Sequence, residues 1–256
     1  MSELQYLKLD KTDGVARITL ARPKHNVFNI DMINEFNSVI EELSADDGLK
    51  CIAIFGEGRS FCAGVEVGDH KPDKVDSMIA AFGRIFELLH ALKVPTIAVV
   101  QGACLGGGME LAIACDTIIA AQGAKFGQPE IKLGFLPPYA AIRLPHLVGP
   151  AKAVEICTSG KIYSAEQARA FGFVTYVAAD DKLNDEAERL IGEIQACSPL
   201  IIRLNKQAVN DHLGMSFADA LENVNSLFLN KLMKTEDTLE GIASFEEKRK
   251  PEWKNR

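Results

Sequence analysis

Gly102-Ala103-Cys104-Leu105-Gly106-Gly107-Gly108-Met109-Glu110-Leu111-Ala112-Ile113-Ala114-Cys115 is the stretch that decides how this chain is read. Thr96–Val100 before it reads as a buried strand. The glycine run then opens a helix from about Gly107, offering free N–H groups and the positive end of a helix dipole. Glu110 is the only charge of that helix before Asp116, and its neighbours are apolar almost all round. The helix is therefore expected to be buried. An isolated buried carboxylate is costly unless it is paired or its pKa moves. An ion pair that holds the helix is the structural alternative, but no Lys or Arg stands at an obvious helical spacing from Glu110.

Two further segments resemble this one in having small residues beside a carboxylate or a tight turn. Gly58-Arg59-Ser60-Phe61-Cys62-Ala63-Gly64-Val65-Glu66-Val67 follows a buried strand, and Ala63 and Gly64 would let a ligand lie against the backbone. Taken alone it reads as a tight turn. Ala124-Lys125-Phe126-Gly127-Gln128-Pro129-Glu130-Ile131-Lys132-Leu133-Gly134 places Glu130 after a proline and before an apolar stretch. Taken alone, Glu130 reads as an early helix residue on a solvated face.

Outward from these segments the chain alternates strands and helices. Leu4–Leu9 and Val15–Leu20 read as strands joined by Lys11-Thr12-Asp13-Gly14, with Asp-Gly marking a hairpin. Asp31 is expected to cap a helix carrying Ile33, Phe36, Ile40 and Leu43 at helical spacing. Cys51–Phe55 and Thr117–Ala121 read as strands, and Lys74 to Leu92 as an amphipathic helix. From Gly149 the pattern turns helical, with Ser164, Ser198, Ser216 and Thr235 as N-caps and Pro199 at a first helical position. The fold class is α/β: a core of about 190 residues with a helical extension.

The chain has 256 residues, 47% hydrophobic and 25% charged, enough for one large domain. Its 28 basic and 35 acidic residues leave a formal charge of −7, which argues against nucleic acid as a partner. The six cysteines form no C-x-x-C pair and none sits beside a His at metal-ligand spacing, so they read as small core residues in a reducing compartment, and no metal is expected. The first fourteen residues carry Glu3, Lys8, Asp10, Lys11 and Asp13, which leaves no secretory h-region. The most apolar stretch, Val94 to Met109, holds four glycines and falls short of the roughly 20 residues of a membrane span. A cytoplasmic location, off the membrane, is the expectation.

Together the segments F-C-A-G-V-E-V, G-G-G-M-E-L-A and F-G-Q-P-E are far more specific than any one of them. With Ala21-Arg22-Pro23-Lys24 and the closing run Glu240 to Lys250, the chain resembles the crotonase superfamily, the enoyl-CoA hydratases and isomerases, over essentially its whole length. The resemblance implies a crotonase-like spiral of β-β-α units over residues 1–195. It also implies a C-terminal helical trimerisation region over 196–256, and a homotrimer or dimer of trimers. It implies an acyl-CoA substrate with no separate cofactor, coenzyme A being part of the substrate. The amides of Val65 and Gly107 would form an oxyanion hole. Glu110 and Glu130 fall where hydratases carry two catalytic glutamates, and having both favours hydration over isomerisation.

By the same resemblance Lys24, His25, Ala63, Glu66, Val67, Gly68, Gly106, Pro129, Pro138 and Tyr139 would border the substrate, with Phe245 and Lys248 reaching the CoA of an adjacent subunit. Two departures from the family pattern stand out. Pro137-Pro138-Tyr139 replaces a glycine loop, putting proline where an amide would help hold the catalytic water. Val65-Glu66-Val67-Gly68-Asp69-His70 lacks the usual D-I/L-K ending. Both resemble the branch that hydrates cyclic dienoyl-CoA thioesters. His70 is read as structural and left out of the catalytic set. The competing readings are another enolate reaction on the same hole, an RNA-binding relative, and a catalytically idle scaffold subunit.

Overall fold

The computed structural model describes residues 4–256. The chain opens with β1 (Leu7–Thr12) and β2 (Val15–Leu20), an antiparallel hairpin. Asp13 and Gly14 alone make its turn, at φ of 51° and 79°, the positive pair that suits strand twist. The first strand thus lies later than the expected Leu4–Leu9. Lys11 and Thr12 are ladder residues, paired with Ala16 and Val15, because a two-residue turn needs nothing more. Helix α1 (Ile30–Ser44) buries Ile33, Phe36, Ile40 and Leu43 as its spacing predicts. Its cap is Asn29, whose Oδ1 accepts from Met32 N at 3.1 Å, and not Asp31, which lies in the first turn.

Next come β3 (Cys51–Gly56), α2 (Val75–Ala91), β4 (Thr96–Val100), β5 (Ala103–Leu105), α3 (Gly107–Ala114), β6 (Thr117–Ala121) and β7 (Lys125–Gly127). A 3₁₀ turn over Pro129–Leu133 leads to α4 (Pro138–Val148) and α5 (Pro150–Ser159). These are followed by β8 (Ile162–Ser164), α6 (Ala165–Phe171), β9 (Tyr176–Ala178), α7 (Leu183–Gln195), α8 (Pro199–Asn210), α9 (Phe217–Asn230) and α10 (Glu236–Glu246). The helical part therefore starts at Pro138, earlier than the expected Gly149. β8 and β9, three residues each, are too short to show a period. Ser164, Ser198, Ser216 and Thr235 all cap helices, accepting from Gln167, Ile201, Asp219 and Thr238 N–H groups.

The strands sort into two sheets, in the orders β1-β2-β3-β4-β6-β9 and β5-β7-β8. β4 joins the large sheet, β5 the small one, and α3 follows; β6 and β7 repeat the step before the Pro129 turn and α4. β3 does the same in shorter form, since Cys62 just after it bridges Cys104 of β5, before α2. These are successive turns of one spiral of β-β-α units. Each turn passes from its second strand into a helix, and the three chemistry-bearing segments occupy those three passages.

Alternation along the parallel strands separates two cores. Ile52 and Ile54 face the main core with Phe28, Phe36 and Met109. Cys51 and Ala53 face the other side, where Ile97, Val99 and Ile119 meet Leu183, Ala187 and Ile191 of α7. Burial on both faces is why these strands read as unbroken apolar runs. No helix of the described residues is long and apolar enough to cross a membrane.

Candidate active site

The three passages converge on one cavity of about 650 Å³. Ala63 and Val65 come from the first, Gly106, Gly107 and Glu110 from the second, and Pro129 and Glu130 from the third. Helix α2 supplies Val75, Met78, Ile79 and Phe82, so its apolar side serves both the core, through Met78 and Phe82, and the cavity wall. The stretch Leu133–Pro138 completes the lining.

Glycine gives room where the spiral turns crowd together. Gly106 sits at φ 53°, and a Cβ there would stand 2.5 Å from Glu130 Oε1. A Cβ on Gly107 would stand 2.6 Å from Val65 Cγ2, which places the first and second passages side by side. Among the described residues neither Val65 N–H nor Gly107 N–H has a hydrogen-bond partner. Gly107 is the first residue of α3, where a helix leaves its N–H groups unpaired. Two adjoining donors thus border the cavity.

Glu110 is 2% exposed and makes no ion pair among the described residues. Its Oε1 accepts the backbone N–H groups of Tyr139 (2.7 Å) and Ala140 (2.9 Å), the second and third residues of α4. The carboxylate therefore caps α4 from another helix. Pro138, first in α4, has no N–H to satisfy and fits that position. Oε2 has no partner among the described residues, leaving one oxygen of a tightly held carboxylate for a ligand. Glu130 is set by Gln128, which is fully buried. With its amide ends assigned by hydrogen bonding, the Gln128 nitrogen donates to both Glu130 oxygens, at 2.9 and 3.1 Å.

Burial pushes the Glu110 carboxyl up to about 7, with the charge of Glu130 adding to the rise and the Ala140 and Tyr139 N–H groups opposing it. Burial likewise pushes Glu130 up to about 7. Both carboxyls thus stand well above the ordinary carboxylate range, burial being the main cause in each. No cluster of His, Cys, Asp or Glu among the described residues could hold a metal ion.

Of the residues expected at the site, Ala63, Val65, Val67, Gly106, Gly107, Glu110, Pro129, Glu130 and Pro138 line the cavity. Others lie apart from its lining. The Glu66 carboxylate pairs with Arg22 at 3.4 Å, and Gly68 sits within a 3₁₀ turn. The Tyr139 ring stacks on Phe86 (centroids 3.9 Å apart, planes at 7°) and borders an adjoining apolar hollow instead. Lys24 and His25 are exposed, with His25 Nδ1 3.0 Å from Ser60 Oγ. Phe245 is 85% exposed on α10, and Lys248 lies just beyond that helix. Gln128, Phe82 and Met78 escaped the reading of the sequence. A buried glutamine leaves no mark in a pattern, and cavity-facing apolar residues of α2 are indistinguishable from core ones.

The family description enoyl-CoA hydratase/isomerase matches residues 10–256. A probable enoyl-CoA hydratase of Mycobacterium bovis is 38% identical over 251 residues, covering 97% of each chain. A cyclohexa-1,5-dienecarbonyl-CoA hydratase of Thauera aromatica is 33% identical over 250 residues, covering 97% of this chain and 96% of the relative. The crystal structure of an enoyl-CoA hydratase from Bacillus anthracis superposes with a TM-score of 0.91 at 28% identity, covering 98% of this chain and all of that one. Sequence and spiral agree along the whole length: the chain belongs to the enoyl-CoA hydratase/isomerase family, the crotonase superfamily of enzymes.

Proposed function

We propose that this enzyme adds water to a conjugated enoyl-CoA thioester, and that the observation carrying the reading is the pairing of Glu110 and Glu130 in one cavity with the two free N–H groups. The thioester oxygen is held by Val65 N–H and Gly107 N–H, which stabilise the negative charge that develops there. Ionised Glu110, through its free Oε2, takes a proton from water as the water oxygen bonds to the electron-poor carbon. The displaced π electrons move to the thioester oxygen as an enolate. Protonated Glu130 then delivers its proton to the carbon next to the carbonyl. The two carboxyls end with their proton exchanged, and transfer through the next water resets them. No further cofactor is needed, since coenzyme A arrives with the substrate.

For the acyl group we propose a compact ring diene. The Thauera aromatica relative and the Pro137-Pro138 stretch support this, and the wall is formed by Phe135, Leu136, Pro137, Pro138 and Phe82 rather than by the Tyr139 ring. A cyclohexadiene-carboxyl-CoA is expected to show a kcat/KM at least about tenfold above crotonyl-CoA, roughly 1.4 kcal/mol of transition-state discrimination. Loss of conjugated absorbance measures both. Equal or better handling of crotonyl-CoA would remove the ring diene and leave a general hydratase.

Assembly is the second part of the reading. No residue of α9 is buried, although Phe217 (82% exposed), Leu229 and Phe228 are large and apolar. Such a surface calls for a cover, and other copies of the same chain in a trimer or dimer of trimers supply it. In that assembly Phe245 and Lys248 would lie near a neighbour's CoA, whereas Arg249 is already paired with Glu240 and Glu247. Sedimentation should give a mass that is a multiple of three protomers, and a stable monomer would contradict it.

A further inference from the structure

His70 also lines the cavity, apart from the Glu110 and Glu130 pair. It closes the 3₁₀ turn Val67–His70, and two contacts fix its ring. Nδ1 lies 3.0 Å from the Glu66 carbonyl oxygen. A carbonyl only accepts, so Nδ1 carries a proton and donates. In the neutral imidazole the other nitrogen, Nε2, is then an acceptor. The ring also stacks on Phe135, with centroids 4.7 Å apart and planes at 27°. Nε2 has no protein partner among the described residues. The same cavity is lined by the apolar Val67, Val75, Leu133, Phe135 and Leu136. The remaining polar side chains of the cavity are Glu110 and Glu130, engaged in the reaction, and Lys132. A positioned acceptor in an apolar wall discriminates: a ligand that covers it without a donor forfeits a hydrogen bond, and one that brings a donor gains it.

We propose that His70 is a specificity-determining residue whose Nε2 accepts a hydrogen bond from a hydroxyl carried by the acyl group. The proposal rests on the acyl-CoA reading of the cavity, but not on hydration, so inert ligands can test it. Saturated thioesters without a hydroxyl at the reacting position do not turn over. The probes are 4-hydroxybutyryl-CoA and the 3- and 4-hydroxycyclohexanecarbonyl-CoA thioesters, each against its parent, butyryl-CoA or cyclohexanecarbonyl-CoA. Dissociation constants are measured calorimetrically on the full chain.

His70→Asn keeps a donor near the Glu66 carbonyl but has nothing at the Nε2 position, and His70→Phe keeps the stack on Phe135 while removing both nitrogens. The wild type is expected to prefer at least one hydroxylated probe over its parent by about fivefold, the size of one net hydrogen bond. Both variants should lose that preference while binding the parents within about twofold of wild type. The proposal is overturned if the wild type prefers no hydroxylated probe, if His70→Asn keeps the preference, or if both variants weaken all ligands alike, which is the mark of a purely structural histidine. Failure of every thioester, parents included, to bind the wild type would instead bring down the acyl-CoA reading itself, and this proposal with it.

Discussion

Glu110→Gln and Glu130→Gln are each expected to lower kcat for hydration by about 10²–10⁴-fold, the range for removing a positioned general acid or base. The fold should survive both. A glutamine at 110 keeps a carbonyl oxygen to accept from Tyr139 and Ala140, so α4 retains its cap. Steady-state turnover read beside circular dichroism separates loss of chemistry from loss of structure. A near-normal rate in Glu110→Gln would point to single-acid chemistry at Glu130, and the hydratase reading would give way to isomerisation. The same variants carry a second readout. Each carboxyl has a folded pKa raised to about 7 from an ordinary 4.5, so the fold binds its proton more tightly than the unfolded chain does. Its contribution to stability is full below about 4.5 and is lost as pH rises through about 7. Above that pH each ionised carboxylate costs on the order of 1–3 kcal/mol. Glutamine carries no such cost. Both variants should therefore exceed the wild type in stability at pH 8, by a margin that shrinks toward pH 5.

How far such a site can be read without coordinates depends on which residues announce themselves. Glu110 does, because a single carboxylate among apolar neighbours after a glycine run is a local contradiction, and the structure resolves it through two backbone N–H groups rather than an ion pair. Thr96–Val100 and Thr117–Ala121 also do, since strands buried on both faces are unbroken apolar runs. Glu130 does not; its segment is ambiguous alone and acquires meaning only beside the other two. The convergence of the three segments follows from the spiral, in which each second strand passes into its helix at the same end. No local pattern encodes that. Tyr139 shows the opposite failure. Its position beside Pro138 suggests a cavity wall, but the start of α4 turns its backbone toward Glu110 and its ring toward Phe86. His70 was legible as a residue and illegible as a cavity group, because its role depends on which nitrogen the Glu66 carbonyl occupies.

Gly107→Ala is expected to lower kcat by about 10²–10³-fold, the range for loss of one oxyanion donor, with KM little changed. The added methyl would stand 2.6 Å from Val65 Cγ2 and 2.9 Å from Phe82 Cζ. Both obstacles are side chains, so the protein can yield, but only by moving Val65 or the first turn of α3. Those are the two carriers of the paired N–H groups. A shift of a few tenths of an ångström costs little in the ground state, where the thioester oxygen is nearly neutral. It costs much more in the transition state, where that oxygen is anionic and the donors must be aimed at it. Gly108→Ala supplies the contrast. Its methyl would stand 2.1 Å from the Cys62 carbonyl oxygen and 2.7 Å from the Cys62 carbonyl carbon, and backbone between two spiral turns has nowhere to go. That variant should lose thermal stability first and activity with it, whereas Gly107→Ala should melt near the wild-type temperature. A folded Gly107→Ala enzyme with kcat within about threefold of wild type would show that the thioester oxygen lies elsewhere than between Val65 and Gly107.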